Sequence, residues 1–400
     1  MDFAMTYTKE QEAFRKEVRA WLEANAKMPA ALGKVPLEGR DTTREQYTWA
    51  RQYRSKLGHK GWLHPMMPPK YGGGGLTLDH DIVIKEETAR YKVPSASSPG
   101  DVAIAYLYVY ATEEQKQKFL KPLVQGDIVV WQLWTEPESG VDLASIKTLA
   151  TKDGDDFIIN GSKNYISGIY EADYLNTLVV TDPKGPRHAN LGQFFFPANL
   201  PGISWEYQEL ITRSGQHFVF FDNVRVSREY LVGGETQGWR VTQSSLEMEH
   251  GTEGGLGNRE PLIQDLIAGW KEGRRNSLAH GADAEEQLVD AYIRTKLASL
   301  IARRNFWMFN TKRTQTYQGP QNEWWGRETR IRNAEHLLEL LGPHSLTSDP
   351  IWGLLDGRVE LAQRGASMAT HGNGSYEIDK VIMARRVGLS RTKEVAAPTH

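Results

Sequence analysis

The chain contains no cysteine in 400 residues. That excludes disulfides, thiol nucleophiles and thiolate metal ligands. Net charge is nearly absent as well: 48 basic against 50 acidic residues leave a formal −2 at pH 7. Such a balance draws the chain neither to nucleic acid nor to an anionic membrane surface. No stretch approaches the roughly 18–20 apolar residues of a membrane span. The opening MDFAMTYTKEQEAFRKEV is charged throughout and lacks the apolar segment of a signal peptide. A cytoplasmic location is therefore expected. The 11 histidines include no HExxH or HxH pair that would set two imidazoles on one ligand face. The phosphate-cradling GxGxxG and GxxxxGK[ST] loops and the GxSxG elbow are missing too.

What is present is an ordinary globular composition, 40% apolar and 24% charged, with an unusual aromatic load of 12 tryptophans and 16 tyrosines. At this length one small core does not suffice, and two or three domains are expected. Residues 1–128 read as helical. Phe14, Val18 and Trp21 recur at spacings of three and four, and TEEQ at Thr112 is a capping box. The run PPKYGGGG interrupts that pattern, and with no strand before it and no lysine after it we read it as a flexible turn. From residue 129 to 235 the texture changes to short β-branched and aromatic runs. IKTLATKDGDDFIINGSKNYISG predicts turns at DGDD and at the Asn160-Gly161 pair, and YLNTLVVTD, LGQFFFPA and HFVFFDNVRV predict further strands. Helical periodicity returns over 236–400. The expected fold is α+β: an N-terminal helical domain, a central, mostly antiparallel β-domain and a C-terminal helical bundle.

Five blocks then appear in order: WQLWTEPESGVDLAS (131–145), INGSKNYISG (159–168), FFDNVRVSREYLVG (220–233), GWRVTQSSLEMEHG (238–251) and HGNGSYEIDKVIMARRVGLSR (371–391). Together they resemble the acyl-CoA dehydrogenases, and the resemblance covers nearly the whole chain. It implies FAD held between the β-domain and the last helices. It also implies removal of a proton at Cα and a hydride at Cβ of an acyl-CoA thioester, with electrons passed on to an electron-transfer flavoprotein. By that resemblance Thr135, preceded by Leu133, meets the flavin pyrimidine edge. Tyr165 and Ser167 stand where the family usually has tryptophan and threonine against the ring. Val141 replaces a frequent serine and removes a hydroxyl near the flavin phosphates or the pantetheine. Ser375 and Glu377 carry over as flavin contacts. Glu339 and Gly342 carry over as contacts to a neighbouring subunit's FAD, although Pro343 replaces a frequent glycine. The family's RxxFG segment, whose arginine holds the neighbour's pyrophosphate, is missing. A homodimer or a hetero-oligomer with a related subunit is expected rather than a homotetramer.

The base remains. Of the family's two base positions, one falls on Asn373, which accepts no proton. The other falls on Glu249, in LEMEH with Leu246. Glu247 lies only two residues away, about 200° around a helix, so one pocket cannot face both. Glu249 shares a face with Thr242 and Ser245, small residues expected to leave room for a ligand, while Glu247 shares the polar side of Arg240 and Gln243. Two other readings compete: a non-catalytic subunit that completes a site on a related chain, and a flavin oxidase or monooxygenase on the same fold.

Overall fold

The computed structural model describes residues 7–96, 99–251, 261–274, 283–311, 313–370 and 375–391; for 99, 246–251, 273–274 and 309–310 only the backbone is described. Two compact units result, Thr6–Met248 and Glu249–His400.

The first unit opens with helices α1 (Lys9–Asn25), α2 (Arg44–His59), α3 (Leu78–Thr88) and α4 (Ala103–Tyr110). Two short helices follow, α5 (Glu113–Gln115) and α6 (Lys121–Val124), separated by a π-turned stretch at Lys116–Leu120. Capping boxes start α1 at Thr8, α2 at Thr43 and α5 at Thr112. In each, the threonine hydroxyl accepts from an amide three residues on while a glutamine returns the favour, so two orphan donors are satisfied. On α1, Val18 and Leu22 are fully buried, with Phe14 and Trp21 packed at the edge of the same cluster. Arg15 is buried on α1 as well. It donates to the fully buried Glu87 of α3 at 2.7 Å, and Arg19 donates to the other oxygen at 2.7 Å.

The eight-stranded sheet is ordered β6-β7-β3-β2-β4-β5-β8, with β1 added beside β4. Its members are β1 (Val130–Leu133), β2 (Leu149–Asp153), β3 (Asp156–Ser167), β4 (Tyr174–Val180), β5 (Leu191–Pro197), β6 (Ile203–Gln208), β7 (Gln216–Ser227) and β8 (Leu231–Val232). Pairings are antiparallel except where β1 and β2 meet β4. The continuous apolar run of β5 is explained by burial on both faces. Phe194 and Phe196 enter the core of the sheet, and Phe195 turns the other way, toward Phe119 and the helices. Helix α7 (Gly238–Gly251) follows β8 in sequence.

Two expected turns differ. DGDD does close the β2–β3 hairpin, with Asp153 opposite Asp156. Asn160-Gly161 does not turn; it sits inside β3 as a register shift against β7. Gly161, at φ 144°, lies against Thr148, where a Cβ would come within 2.6 Å of the hydroxyl. The pair marks a bulge rather than a loop. Nor is GGGG flexible. Gly75 N donates to Met67 O at 2.9 Å and Leu76 N to Pro65 O at 2.8 Å, and a Cβ on Gly73 would lie 2.1 Å from Met67 O. These glycines are small so that two backbone segments can touch.

The second unit contains α8 (Pro261–Gly269), α9 (Ala284–Asn310), α10 (Gln318–Leu341), α11 (Arg358–Ala366) and α12 (Tyr376–Arg386). Ile263 and Leu266 of α8, Leu288 and Ala291 of α9, Leu337 and Leu341 of α10, and Val359 of α11 share one core. No described helix is long and apolar enough to cross a membrane.

Gly73→Ala tests the packed turn: overfilling it should cost about 1–3 kcal/mol in chemical denaturation. A mobile turn would absorb the methyl group within roughly 0.5 kcal/mol.

Candidate active site at the end of β1 and β3

The chain that leaves β1 is tied to β3 by a buried ion pair. Lys163 is fully buried, and its ammonium donates to Glu136 Oε1 at 2.8 Å, to Leu178 O at 2.7 Å and to Trp134 O at 3.3 Å. The same carboxylate accepts Thr148 N at 2.9 Å and Lys147 N at 2.6 Å. Burial pushes the Lys163 ammonium below the usual lysine range, and Glu136 opposes that shift. Burial also works against ionising Glu136. Lys163 and the amides of Thr148 and Lys147 outweigh it and hold the carboxyl below its ordinary value. Residues 134–136 and 147–148 are thereby fixed to β3 immediately before Tyr165.

One residue further, Asn164 N donates to Thr135 O at 2.9 Å. Tyr165 follows at φ 56°, inside a second register shift between Lys163 and Ile166. Its amide donates to the Asn164 side chain at 2.7 Å, and its side chain is 53% exposed. A bulky residue in the left-handed region costs of order 1–3 kcal/mol and persists only where its surroundings impose it. The strain turns a large aromatic ring out of a strand whose neighbours point inward. Ser167 lies two positions on, half-buried, with Gln216 Nε2 at 3.4 Å from its hydroxyl. An exposed ring, one residue from the backbone contact that ties Asn164 to Thr135 and two from Ser167, suits a flat heteroaromatic cofactor, which needs one apolar face covered and its polar rim met.

The other expected residues fall as follows. Leu133 is fully buried in the core of the sheet, and its carbonyl accepts the Thr177 hydroxyl at 2.9 Å. Val141 is 65% exposed in the loop after the Glu136–Ser139 turn. In the second unit, Ser375 caps α12; its hydroxyl donates to Glu377 Oε2 at 2.5 Å and accepts from Glu377 N at 3.3 Å. Glu339 is exposed near the end of α10 and accepts from Gln287 Nε2 at 2.9 Å. Gly342, at φ 51°, ends that helix. So Thr135, Tyr165 and Ser167 lie together in the first unit, and Ser375 and Glu377 lie together in the second.

Helix α7 forms where the sequence placed it. Thr242 and Ser245 are fully buried, but they leave no open space. The Thr242 hydroxyl donates to Gln193 Oε1 at 3.0 Å and the Ser245 hydroxyl to Val102 O at 3.0 Å. They are small because the helix backbone lies close to the β5 and α4 regions. Arg240 and Gln243 are exposed, as expected of the polar side. The side chains of Leu246, Glu247 and Glu249, and all of Asn373, lie outside the described residues. Among those described, no cluster of three or more His, Asp or Glu is placed to hold a metal. The Glu136–Lys163 pair went unread in the sequence. Its one signal was a lysine at an inward position of β3, two residues before the expected flavin tyrosine.

The chain matches the acyl-CoA dehydrogenase N-terminal domain over residues 8–127, the middle domain over 132–227 and the C-terminal domain over 236–388. It belongs to the acyl-CoA dehydrogenase family. It is 30% identical to the acyl-CoA dehydrogenase IpdE1 of Mycobacterium tuberculosis, over 95% of this chain and 98% of that one. Among solved structures it is similar to the Tcur3481-Tcur3483 steroid ACAD, at a TM-score of 0.80 and 27% identity over 98% of this chain and 100% of that chain. It is likewise similar to the ChsE4-ChsE5 complex from Mycobacterium tuberculosis, at 0.78 and 25% over 97% and 100%. As a member of the acyl-CoA dehydrogenase family, the chain is an oxidoreductase of flavoprotein type with the family's helical, β and helical domains.

Because Glu136 titrates lower in the folded chain, its contribution to stability is complete above its ordinary value of 4.5 and lost as pH falls through the lowered value. Glu136→Gln should flatten the acid limb of the stability–pH curve below about pH 4.5. Lys163→Met should cost about 3–5 kcal/mol at neutral pH, since it strands a buried carboxylate.

Proposed function

We propose that this chain catalyses the FAD-dependent α,β-dehydrogenation of an acyl-CoA thioester to the trans-2-enoyl-CoA. The observation that carries the reading is the strained, exposed Tyr165 fixed beside Thr135 within a chain of this family. Thr135, Tyr165 and Ser167 would hold the flavin at the end of β1 and β3, with Leu133 supporting them from the core. Val141 would lie by the phosphates or pantetheine without offering a hydroxyl. Ser375 and Glu377 would add contacts from α12, and Glu339 and Gly342 would reach the cofactor of a neighbouring subunit. The chemistry that FAD supplies when bound is acceptance of the hydride from Cβ.

Glu249 takes the α-proton. The charge that develops on the thioester oxygen requires hydrogen-bond donors nearby, and a carboxylate within reach of Cα completes the pair of demands. Position 249 follows Ser245 by one helical turn, and Ser245 is anchored to Val102 O, so the end of α7 is directed from a fixed point. Because one similar structure is named a steroid ACAD, a polycyclic acyl-CoA is the first substrate class to test. An electron-transfer flavoprotein is the expected acceptor. The chain works as a homodimer or with a related subunit. The second arrangement, including a half-site role for this chain, is favoured by its similarity to two structures named as pairs.

The test is anaerobic stopped-flow bleaching of the flavin band with steroid-derived and straight-chain acyl-CoAs. Glu249→Gln should keep FAD and slow bleaching by roughly 10²–10⁴-fold, whereas Glu247→Gln should leave it near the parent rate. Asn373→Glu should partly rescue the Glu249 variant. A purified chain that binds no FAD and bleaches with no acyl-CoA, alone or with a related subunit, would end this reading.

A further inference from the structure

His217 of β7 takes no part in the contacts described so far, yet it is buried and pairs with Ile166, the residue that follows Tyr165. Its ring stacks on Trp131 of β1, with centroids 4.6 Å apart and planes at 18°. Trp205 of β6 meets it edge-on at 4.9 Å, and Tyr207 does so at 5.7 Å. Gly168 lies against the indole nitrogen of Trp131 so closely that a Cβ would overlap it. The two stacked rings are thus packed against the chain at residues 166–168. The imidazole Nδ1 lies 3.3 Å from Ile166 O. A carbonyl oxygen only accepts, so this nitrogen carries the proton and donates. Burial holds the imidazole below its ordinary 6.5, against the opposing effect of that carbonyl, so the ring is neutral at pH 7.

Between the pairs Lys163–Val219 and Ile166–His217, Asn164 and Tyr165 of β3 oppose Phe218 alone. A bulge of this kind sheds its strain if the extra residue can slip to a neighbouring position. Tyr165 therefore keeps φ 56° only where the chain is fixed on both sides of it. On one side Lys163 is held by Glu136, and Asn164 N by Thr135 O. On the other, Gly168 N donates to Gly215 O at 2.9 Å, and Ile166 O receives the imidazole. We propose that His217 is a positioning residue for the flavin: its Nδ1–H, donated to Ile166 O from a stacked and buried ring, keeps Tyr165 turned out toward the cofactor. That inference rests on Tyr165 meeting the flavin.

The residue type favours this role over the filling of space. A phenylalanine would stack on Trp131 as well and would bring no polar atoms into the core. A neutral imidazole among Trp131, Trp205 and Tyr207 carries a desolvation cost, which the bond to Ile166 O offsets in part. What histidine adds is a donor on a ring whose own place is fixed by stacking, aimed at the backbone one residue past the strained tyrosine.

Two substitutions separate ring from donor. His217→Phe keeps the stack and loses the N–H; His217→Asn loses the stack and sets an amide N–H where Nδ1 stands. A single fluorotyrosine at position 165 of the full chain, read by fluorine NMR, reports on the Tyr165 ring directly. Its resonance should shift or split in His217→Phe and return to the parent position in His217→Asn. FAD affinity, titrated on the flavin-free chain by fluorescence quenching, should fall about tenfold in His217→Phe, as when the competent conformer is populated a tenth of the time, and recover in His217→Asn. Tyr165→Gly removes the ring and adopts the left-handed backbone freely. In that background His217→Phe should change FAD affinity by less than about twofold. An unmoved fluorine resonance overturns the proposal. So does an equal loss of FAD affinity with and without Tyr165, or a His217→Asn variant that restores neither signal. A parent label that ignores added FAD sinks the flavin reading of Tyr165 and the proposal with it; a label that answers FAD but not His217→Phe sinks the proposal alone.

Discussion

One ammonium group organises the candidate flavin edge. Lys163 lies wholly out of water, where an unpaired charge is prohibitive, and three oxygens from two stretches of chain surround it. A pair of this kind adds little to net stability, because desolvation consumes most of the attraction. Its worth is positional. The carboxylate of Glu136 has fixed places for Lys163 and for the amides of residues 147 and 148, so the loop leaving β1 has one low-energy course. Thr135 and Asn164 follow from that course, and Tyr165 is then left with the left-handed conformation. An apolar pair could fill the same volume, but it would leave the amides of Lys147 and Thr148, the second of them buried, without their acceptor.

The parts of the fold that were legible in the sequence are those decided locally. The capping boxes at Thr8, Thr43 and Thr112 need only four consecutive residues, and the hairpin at DGDD needs little more. The misread segments depend on distant chain. Whether Asn160-Gly161 turns or bulges is decided by β7, more than 50 residues on, and GGGG is held by the backbone of residues 61–67. Arg15 with Glu87, and Lys163 with Glu136, look like surface charges in sequence because the partner that permits burial is remote. The candidate site divides the same way. The type and place of Tyr165 came from likeness to a family, while its strain is visible only in three dimensions.

The face of α7 shows how small residues in a helix can suggest the wrong neighbour. Small residues before Glu249 suggested room for a ligand, yet Thr242 and Ser245 are small because Gln193 and Val102 lie against them. Small side chains in a helix mark close approach, and what approaches is more often protein than substrate. That anchoring still bears on chemistry. A base needs a fixed origin, and two buried hydroxyl contacts on successive turns give α7 one.

The two-sided burial of β5 has a consequence for biosynthesis. Phe195, Val232 and Val241 complete the core beneath Ala103, Tyr106, Phe119 and Leu123. The helices emerge from the ribosome long before those three partners. At typical elongation rates of 5–20 residues per second, the interval from Val124 to Val241 lasts roughly 6–24 s. Throughout it the nascent helices present an unfinished apolar face, an opening that a chaperone would fill and that a bystander chain would exploit.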